Sequence, residues 1–154
     1  QAHYETTGPE VFQQTNGEID VFVAGMGTTG TLMGVYKYLK EKKPQAKVVG
    51  VEPPQGHTIL GIKNMTESIV PGIYDRQMLD EKITVEDGEA FEMTRLLAAR
   101  EGIFVGMSSG AAVAGALRVA ETMTAGTIVA ILPDRGDRYL STTLFRSICA
   151  RCPP

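Results

Sequence analysis

The stretch DVFVAGMGTTGTLMGVYKYLKEKKPQAKVVGVEP, residues 20–53, decides the reading of the fold. It opens on a short apolar run, Asp20 to Ala24, bounded by glycine, which predicts a buried strand. A glycine-rich turn follows, Gly25-Met26-Gly27-Thr28-Thr29-Gly30-Thr31. Beyond it, Leu32, Val35, Tyr36 and Leu39 share one face of a helix over Thr31 to Glu41, which Pro44 closes. Lys47 to Val51 then reads as a second strand. Strand, turn, helix and strand in this order argue for an α/β layer with a mostly parallel sheet.

The flanking residues continue the alternation. Gly8-Pro9-Glu10 opens a short helix to about Gln14, with proline in the first turn beside an acid. Residues 53–80 are punctuated by proline and glycine and read as a long loop, a length usually reserved for function or mobility. Lys82 to Val85 is a short strand, Gly88 to Arg100 a helix, Ile103 to Val105 another strand, Ser109 to Thr122 an Ala-rich helix and Gly126 to Leu132 the last strand. The strands are apolar throughout, as strands covered on both faces should be. No internal repeat or linker divides the chain, which reads as one domain, incomplete in itself.

Composition narrows the function. The chain has 154 residues, 43% hydrophobic and 21% charged, which excludes a disordered or fibrous polypeptide. A formal net charge of -3 argues against a nucleic-acid binder. No run of 18 apolar residues predicts a membrane span, and residues 1–10 lack the basic start and apolar centre of a signal peptide. The expected location is the cytoplasm. No methionine opens the sequence, which fits a start inside a longer chain. Cys149 and Cys152 form a lone C-x-x-C with no second ligand pair, so neither a metal nor a redox role is expected of them. The 17 glycines are more than the roughly 7% usual and point to tight turns where backbone meets backbone or ligand.

Three motifs follow predicted strands, where ligands of open α/β sheets bind. The first, Gly25 to Thr31, aims backbone N–H groups at the positive end of a helix, an arrangement suited to phosphate. It is not a Walker loop, since Thr31 stands where lysine is needed. It does match G-x-G-x-x-G, and Glu52 ends the next strand, so a dinucleotide with Glu52 on a ribose stays open. The second, Gly106-Met107-Ser108-Ser109-Gly110, fits a nucleophile elbow, but His3 and His57 both lie upstream and no histidine follows to activate the serine. Ser108 or Ser109 as helix N-cap, and a serine hydroxyl touching a ligand, are the two readings left. The third, Pro133 to Thr142, carries Asp134, Arg135, Asp137 and Arg138, a pattern of loop ion pairs. Its two carboxylates lack further ligands for a cation, and no metal is expected.

Taken together, HYETTGPEVFQQT (3–15), GTTGT (27–31), VGVEP (49–53), ILGI (59–62), EGIFVGMSSGAAVAGALRVA (101–120) and PDRGDRYLST (133–142) resemble, in order, the C-terminal half of the cysteine synthase (O-acetylserine sulfhydrylase) family of pyridoxal-phosphate enzymes. GTTGT and DRGDRYLST resemble that family's broader-specificity branch. The resemblance implies the large domain of the tryptophan synthase β-like fold over residues 1–142, three-layered, with an unmatched tail at 143–154. It implies that Gly27, Thr28, Thr29, Gly30 and Thr31 hold the pyridoxal 5'-phosphate (PLP) phosphate and that Ser108, ahead of Ser109, meets the ring nitrogen. Met107 and Pro133 would shape the ring's surroundings, and Gly61 and Ile62 a substrate-side loop. The implied transferase reaction makes L-cysteine from O-acetylserine and sulfide by β-replacement in a homodimer. A cystathionine β-synthase-like acceptor is the variant.

The family's Schiff-base lysine precedes these matches. None of Lys37, Lys40, Lys42, Lys43, Lys47, Lys63 and Lys82 corresponds to it. This chain is therefore expected to supply phosphate and ring contacts but no catalytic residue, and to need an N-terminal half. Replacing Gly27 or Gly30 with a bulky residue is expected to abolish PLP phosphate binding, because a side chain blocks close backbone approach. Unchanged affinity in both variants, read by cofactor titration, would remove the assignment.

Overall fold

A computed structural model describes residues 1–145 of the protein. Cys149 and Cys152 lie outside the described residues. Five helices and four strands form the frame: α1 (Ala2–Glu5), α2 (Thr7–Gln14), β1 (Val21–Gly25), α3 (Gly30–Lys42), β2 (Lys47–Glu52), β3 (Glu81–Thr84), α4 (Asp87–Glu101), α5 (Met107–Ala120) and β4 (Ile128–Ala130). The sheet order is β3-β2-β1-β4, and every pairing is parallel.

Two-residue alternation along the central strand builds three layers. Val21 and Val23 of β1, with Val49 and Val51 of β2, face a core completed by Met107, Ala111 and Ala114 of α5 and Ala90 of α4. Phe22 and Ala24 face the opposite core, with Val48, Leu32, Val35 and Leu39 and with Val11 of α2. Successive side chains of a strand point to opposite faces, so a strand buried on both sides must be apolar at every position. β1 meets that requirement from Val21 to Ala24.

Small residues set how closely α5 approaches the sheet. A Cβ built on Gly115 would stand 2.5 Å from Cγ2 of Val51. At the far end of α3, Lys40 Nζ donates to the carbonyls of Pro44 and Ala46 and pairs with Asp80 at 3.0 Å, while Asp80 accepts from Val48 N–H at 2.7 Å. The positive side chain also suits the negative end of the helix. α4 ends on Gly102, at φ +68, where only glycine is unstrained.

Several boundaries differ from those expected. α1 is an added turn of helix before α2. α5 begins at Met107, so both serines lie inside it. The expected strand at Ile103 to Val105 is absent: Val105 makes only an isolated antiparallel bridge to Arg135. Gly106 N–H donates to Asp134 O and Gly136 N–H to Phe104 O, so this segment pairs with the chain leaving β4 rather than entering the sheet. β4 itself is short, though Ile131 N–H still donates to Val23 O. Residues 53–80 are irregular apart from a turn of 3-10 helix at Arg76–Met78. Past Thr142, Leu144 is fully buried and its carbonyl accepts from Arg95 Nε at 2.7 Å.

Gly115→Leu is expected to destabilise the protein by about 1–3 kcal/mol through overpacking against Val51. A shift of the urea midpoint measures it. An unchanged midpoint would show that α5 is free to lift off the sheet.

Candidate cofactor site

β1 delivers the chain into a tight crossing. Met26 N–H donates to Val51 O, and Lys63 N–H donates to Met26 O at 2.7 Å, which lays the 59–65 turn over the end of β1. A Cβ on Gly27 would stand 3.0 Å from Gly61 O, so the close approach requires glycine there. A Cβ on Gly30 would meet nothing nearer than 3.6 Å. Thr29 carries the strain instead. Its φ of +63 is left-handed, a conformation that β-branched residues rarely hold, and its Oγ1 donates to Thr28 O at 2.7 Å. Backbone strain of this kind gathers at ligand clamps.

Behind this crossing lies a cavity of about 220 Å³. Gly25, Gly27, Thr28, Thr29, Gly30 and Thr31 line it, together with Gly61, Ile131 and Pro133. No lysine or arginine is among the lining residues. The start of α3 opens here, and its N-cap, Thr29, makes no side-chain capping bond. The first N–H groups of a helix lack partners within it, and the peptide dipoles add positive potential. A phosphate group fits this donor set of backbone N–H groups and threonine hydroxyls.

The start of α5 is built oppositely. Asp134, delivered by the chain leaving β4, accepts from Ser108 N–H at 3.3 Å and Ser109 N–H at 3.0 Å. It also accepts from Ser109 Oγ and from Tyr139 OH. The expectation that a serine caps this helix is thereby corrected: the cap is a carboxylate 25 residues away in sequence. Gly106 makes room for it, since a Cβ there would lie 2.1 Å from Asp134 Oδ2. Of the expected loop ion pairs, Arg135 and Asp137 form one at 3.2 Å on the surface, and Asp134 forms none among the described residues. Burial and the Asp134 carboxylate push the Tyr139 phenol up to about 12.

The two serines thus part company. Ser109 Oγ is taken by Asp134, whereas Ser108 Oγ makes no side-chain hydrogen bond to the described residues. Ser108 sits behind Gly61, its Oγ 3.2 Å from where a Cβ of Gly61 would be, and outside the lining of the phosphate-sized cavity. Pro133 and Gly61 do line that cavity. Ile62 instead packs in the core, where a Cβ on Gly25 would strike its Cγ2. Met107 is buried, and its Sδ accepts from Leu60 N–H at 3.4 Å. Glu52 has no free face for a ribose: Oε1 pairs with Lys82 at 2.7 Å and Oε2 accepts from Met65 N–H.

Asp134 and His3 are the residues of this region that sequence reading did not assign. The signal for Asp134 was its place just after the last strand, within reach of the start of α5; the two serines there masked it by offering caps of their own. His3 stands against the cradle, its Nε2 3.3 Å from Thr31 Oγ1.

Fold and site together define an α/β domain with a glycine- and threonine-lined cavity at the end of its central strand, and comparison with known proteins identifies its family: the chain belongs to the pyridoxal-phosphate dependent enzyme family, whose sequence model matches residues 1–134. Within that family it is 49% identical over 144 residues to cysteine synthase B of Salmonella typhimurium, a match spanning 94% of this chain and 48% of the relative. It is 42% identical over 155 residues to O-ureido-L-serine synthase of Streptomyces lavendulae, covering 95% and 48%. A crystal structure of cysteine synthase from Entamoeba histolytica superposes with a TM-score of 0.89 at 39% identity, over 95% of this chain and 46% of the other. The chain thus spans about half the length of the curated relatives it matches. No helix among the described residues is long and apolar enough to cross a membrane.

The folded state keeps the Tyr139 proton to about pH 12, while the unfolded chain releases it near 10. Stability from this group is therefore complete below pH 10 and is lost as pH rises toward 12. Urea unfolding across that window is expected to show wild type losing stability more steeply than Tyr139→Phe. Equal slopes would show that burial and Asp134 together do not hold the phenol's proton.

Proposed function

We propose that these residues form the phosphate- and ring-holding half of a cysteine synthase that makes L-cysteine from O-acetylserine and sulfide. One observation carries the reading: of the two helix starts beside the site, α5 is closed by the Asp134 carboxylate, whereas α3 opens into the cavity with no carboxylate on it, only the neutral Thr28 Oγ1 at 3.5 Å from Gly30 N–H. An anionic group is stabilised at the open one and repelled by the carboxylate at the other.

The residues divide the work. Backbone N–H groups of 27–31 and the hydroxyls of Thr28 and Thr31 bind the phosphate. Gly27 lets the chain close under Gly61, and Pro133 with Ile131 walls the cavity against water. Ser108, whose hydroxyl makes no side-chain hydrogen bond to the described residues, would meet the ring nitrogen on the family resemblance. A hydroxyl is no counter-ion, so it leaves that nitrogen largely unprotonated. When bound, PLP supplies an electron sink, here a moderate one suited to elimination and addition at the β-carbon. No lysine lines the cavity, and on the family resemblance we assign proton removal to a lysine in the N-terminal half of the whole enzyme. We assign the working unit to a cytoplasmic homodimer on the same resemblance.

The dinucleotide reading of G-x-G-x-x-G finds no support at Glu52, whose carboxylate is spent on Lys82 and Met65. Titration of the full-length protein decides between the two. PLP is expected to bind and NADH to leave its fluorescence unchanged. Ser108→Ala is expected to weaken PLP by about 2- to 10-fold, the worth of one hydrogen bond. NADH binding more tightly than PLP, and weakening in Glu52→Ala, would replace the present reading.

A further inference from the structure

A chain of polar side chains runs from α1 into the phosphate cradle. Thr7 Oγ1 lies 2.9 Å from His3 Nδ1, and His3 Nε2 lies 3.3 Å from Thr31 Oγ1. Gly34 of α3 makes the approach feasible, since a Cβ there would stand 2.7 Å from His3 Cβ. The imidazole also borders the loop itself, with Cδ2 3.7 Å from the Cβ position of Gly30. Thr31 is the residue that belongs to both arrangements: it lines the cavity and touches His3.

A hydroxyl has one proton to donate and two lone pairs to accept with. Thr31 can therefore give its proton to His3 or to an anion in the cavity, but not to both. If Nε2 is bare, it takes the Thr31 proton, and Thr31 turns lone pairs toward the anion. If Nε2 carries a proton, it donates to Thr31 Oγ1, and the Thr31 proton is free for the anion. Thr7 serves either case, since its hydroxyl can donate to a bare Nδ1 or accept from a protonated one; only the second case leaves the Thr31 proton to the anion. The cavity has no lysine or arginine to compensate for a hydroxyl turned the wrong way.

We propose that His3 is a positioning residue of the phosphate site: by holding a proton on Nε2, with Thr7 against Nδ1, it turns the Thr31 hydroxyl proton toward the cofactor phosphate. The proposal rests on the phosphate reading of residues 27–31. It concerns a hydrogen-bond polarity fixed from outside the cavity, and His3 itself touches no part of the cofactor.

Two measurements on the full-length protein with PLP test it. Nitrogen-15 spectra of the imidazole, assigned by difference from His3→Gln, are expected to show a protonated Nε2 on His3 in the PLP-bound state. A bare Nε2 with the proton on Nδ1 overturns the proposal, and this reading needs no variant to bind cofactor. In titrations, His3→Ala is expected to weaken PLP by roughly 3- to 10-fold. His3→Gln, whose amide N–H can stand in for Nε2–H, restores the affinity. His3→Asn, shorter and directed toward Thr7, does not. In Thr31→Ala the His3→Ala change is expected to lose its effect, since the two act through one hydroxyl. Equal PLP affinity in wild type and His3→Ala overturns the proposal and leaves the phosphate reading standing. Failure of wild type to bind PLP overturns the phosphate reading and this inference with it.

Discussion

Asp134 accepts hydrogen bonds from two backbone N–H groups at the start of α5, from the Ser109 hydroxyl and from Tyr139. Much of the site's geometry follows from that carboxylate. It fastens the chain leaving β4 to a helix lying on the opposite core, and so fixes Pro133 and Ile131 as a cavity wall. It also satisfies the donors that α5 would otherwise turn outward. Its charge offsets the positive end of that helix, so the electrostatic attraction of the region concentrates at α3. Ser109 is consumed in the same arrangement, and Ser108 is left with its hydroxyl unengaged.

A second carboxylate is withdrawn from ligand chemistry in a comparable way. Glu52 ends β2 where a dinucleotide fold would aim an acid at a ribose. Here it is almost fully buried between Lys82 on the neighbouring strand and the backbone of Met65. A buried charge must be paired, and this one is paired within the protein. The G-x-G-x-x-G spacing thus lacks the free acid that a dinucleotide fold would set beside it, because of what a residue far from the glycines is doing.

What was legible in the sequence was local. The apolar run at Val21–Gly25, the helical face of Leu32, Val35 and Leu39, and the strand at Lys47–Glu52 stand where periodicity and punctuation placed them. These signals are intrinsic to a few consecutive residues. The Ile103–Val105 strand failed for the opposite reason: a short apolar run states a preference, but its partner was the segment at Arg135 and not the sheet. Asp134 read as a surface ion pair because its true partners lie a long way back along the chain. His3 carried no local mark, since its significance depends on α1 packing beside Gly34. The glycine-rich loop, which lines a cavity, was legible as a tight turn at the end of β1. That Thr29, and not a glycine, would take the left-handed position was not.

The parallel pairing of β1 with β4 brings together residues from opposite ends of the chain, and Asp20 meets Thr127 across 107 positions. Closing so long a loop is entropically slow, and its contacts reward the chain only after the closure is complete. One wall of the cavity, Gly27 to Thr31, can form early, since it needs only β1, α3 and β2. The other wall, Ile131 and Pro133, waits for β4. A chain folding in that order would hold the first wall as an open shelf until β4 arrives. A cofactor that bridges both walls would act as a latch on the last step of folding and stabilise the finished state by mass action.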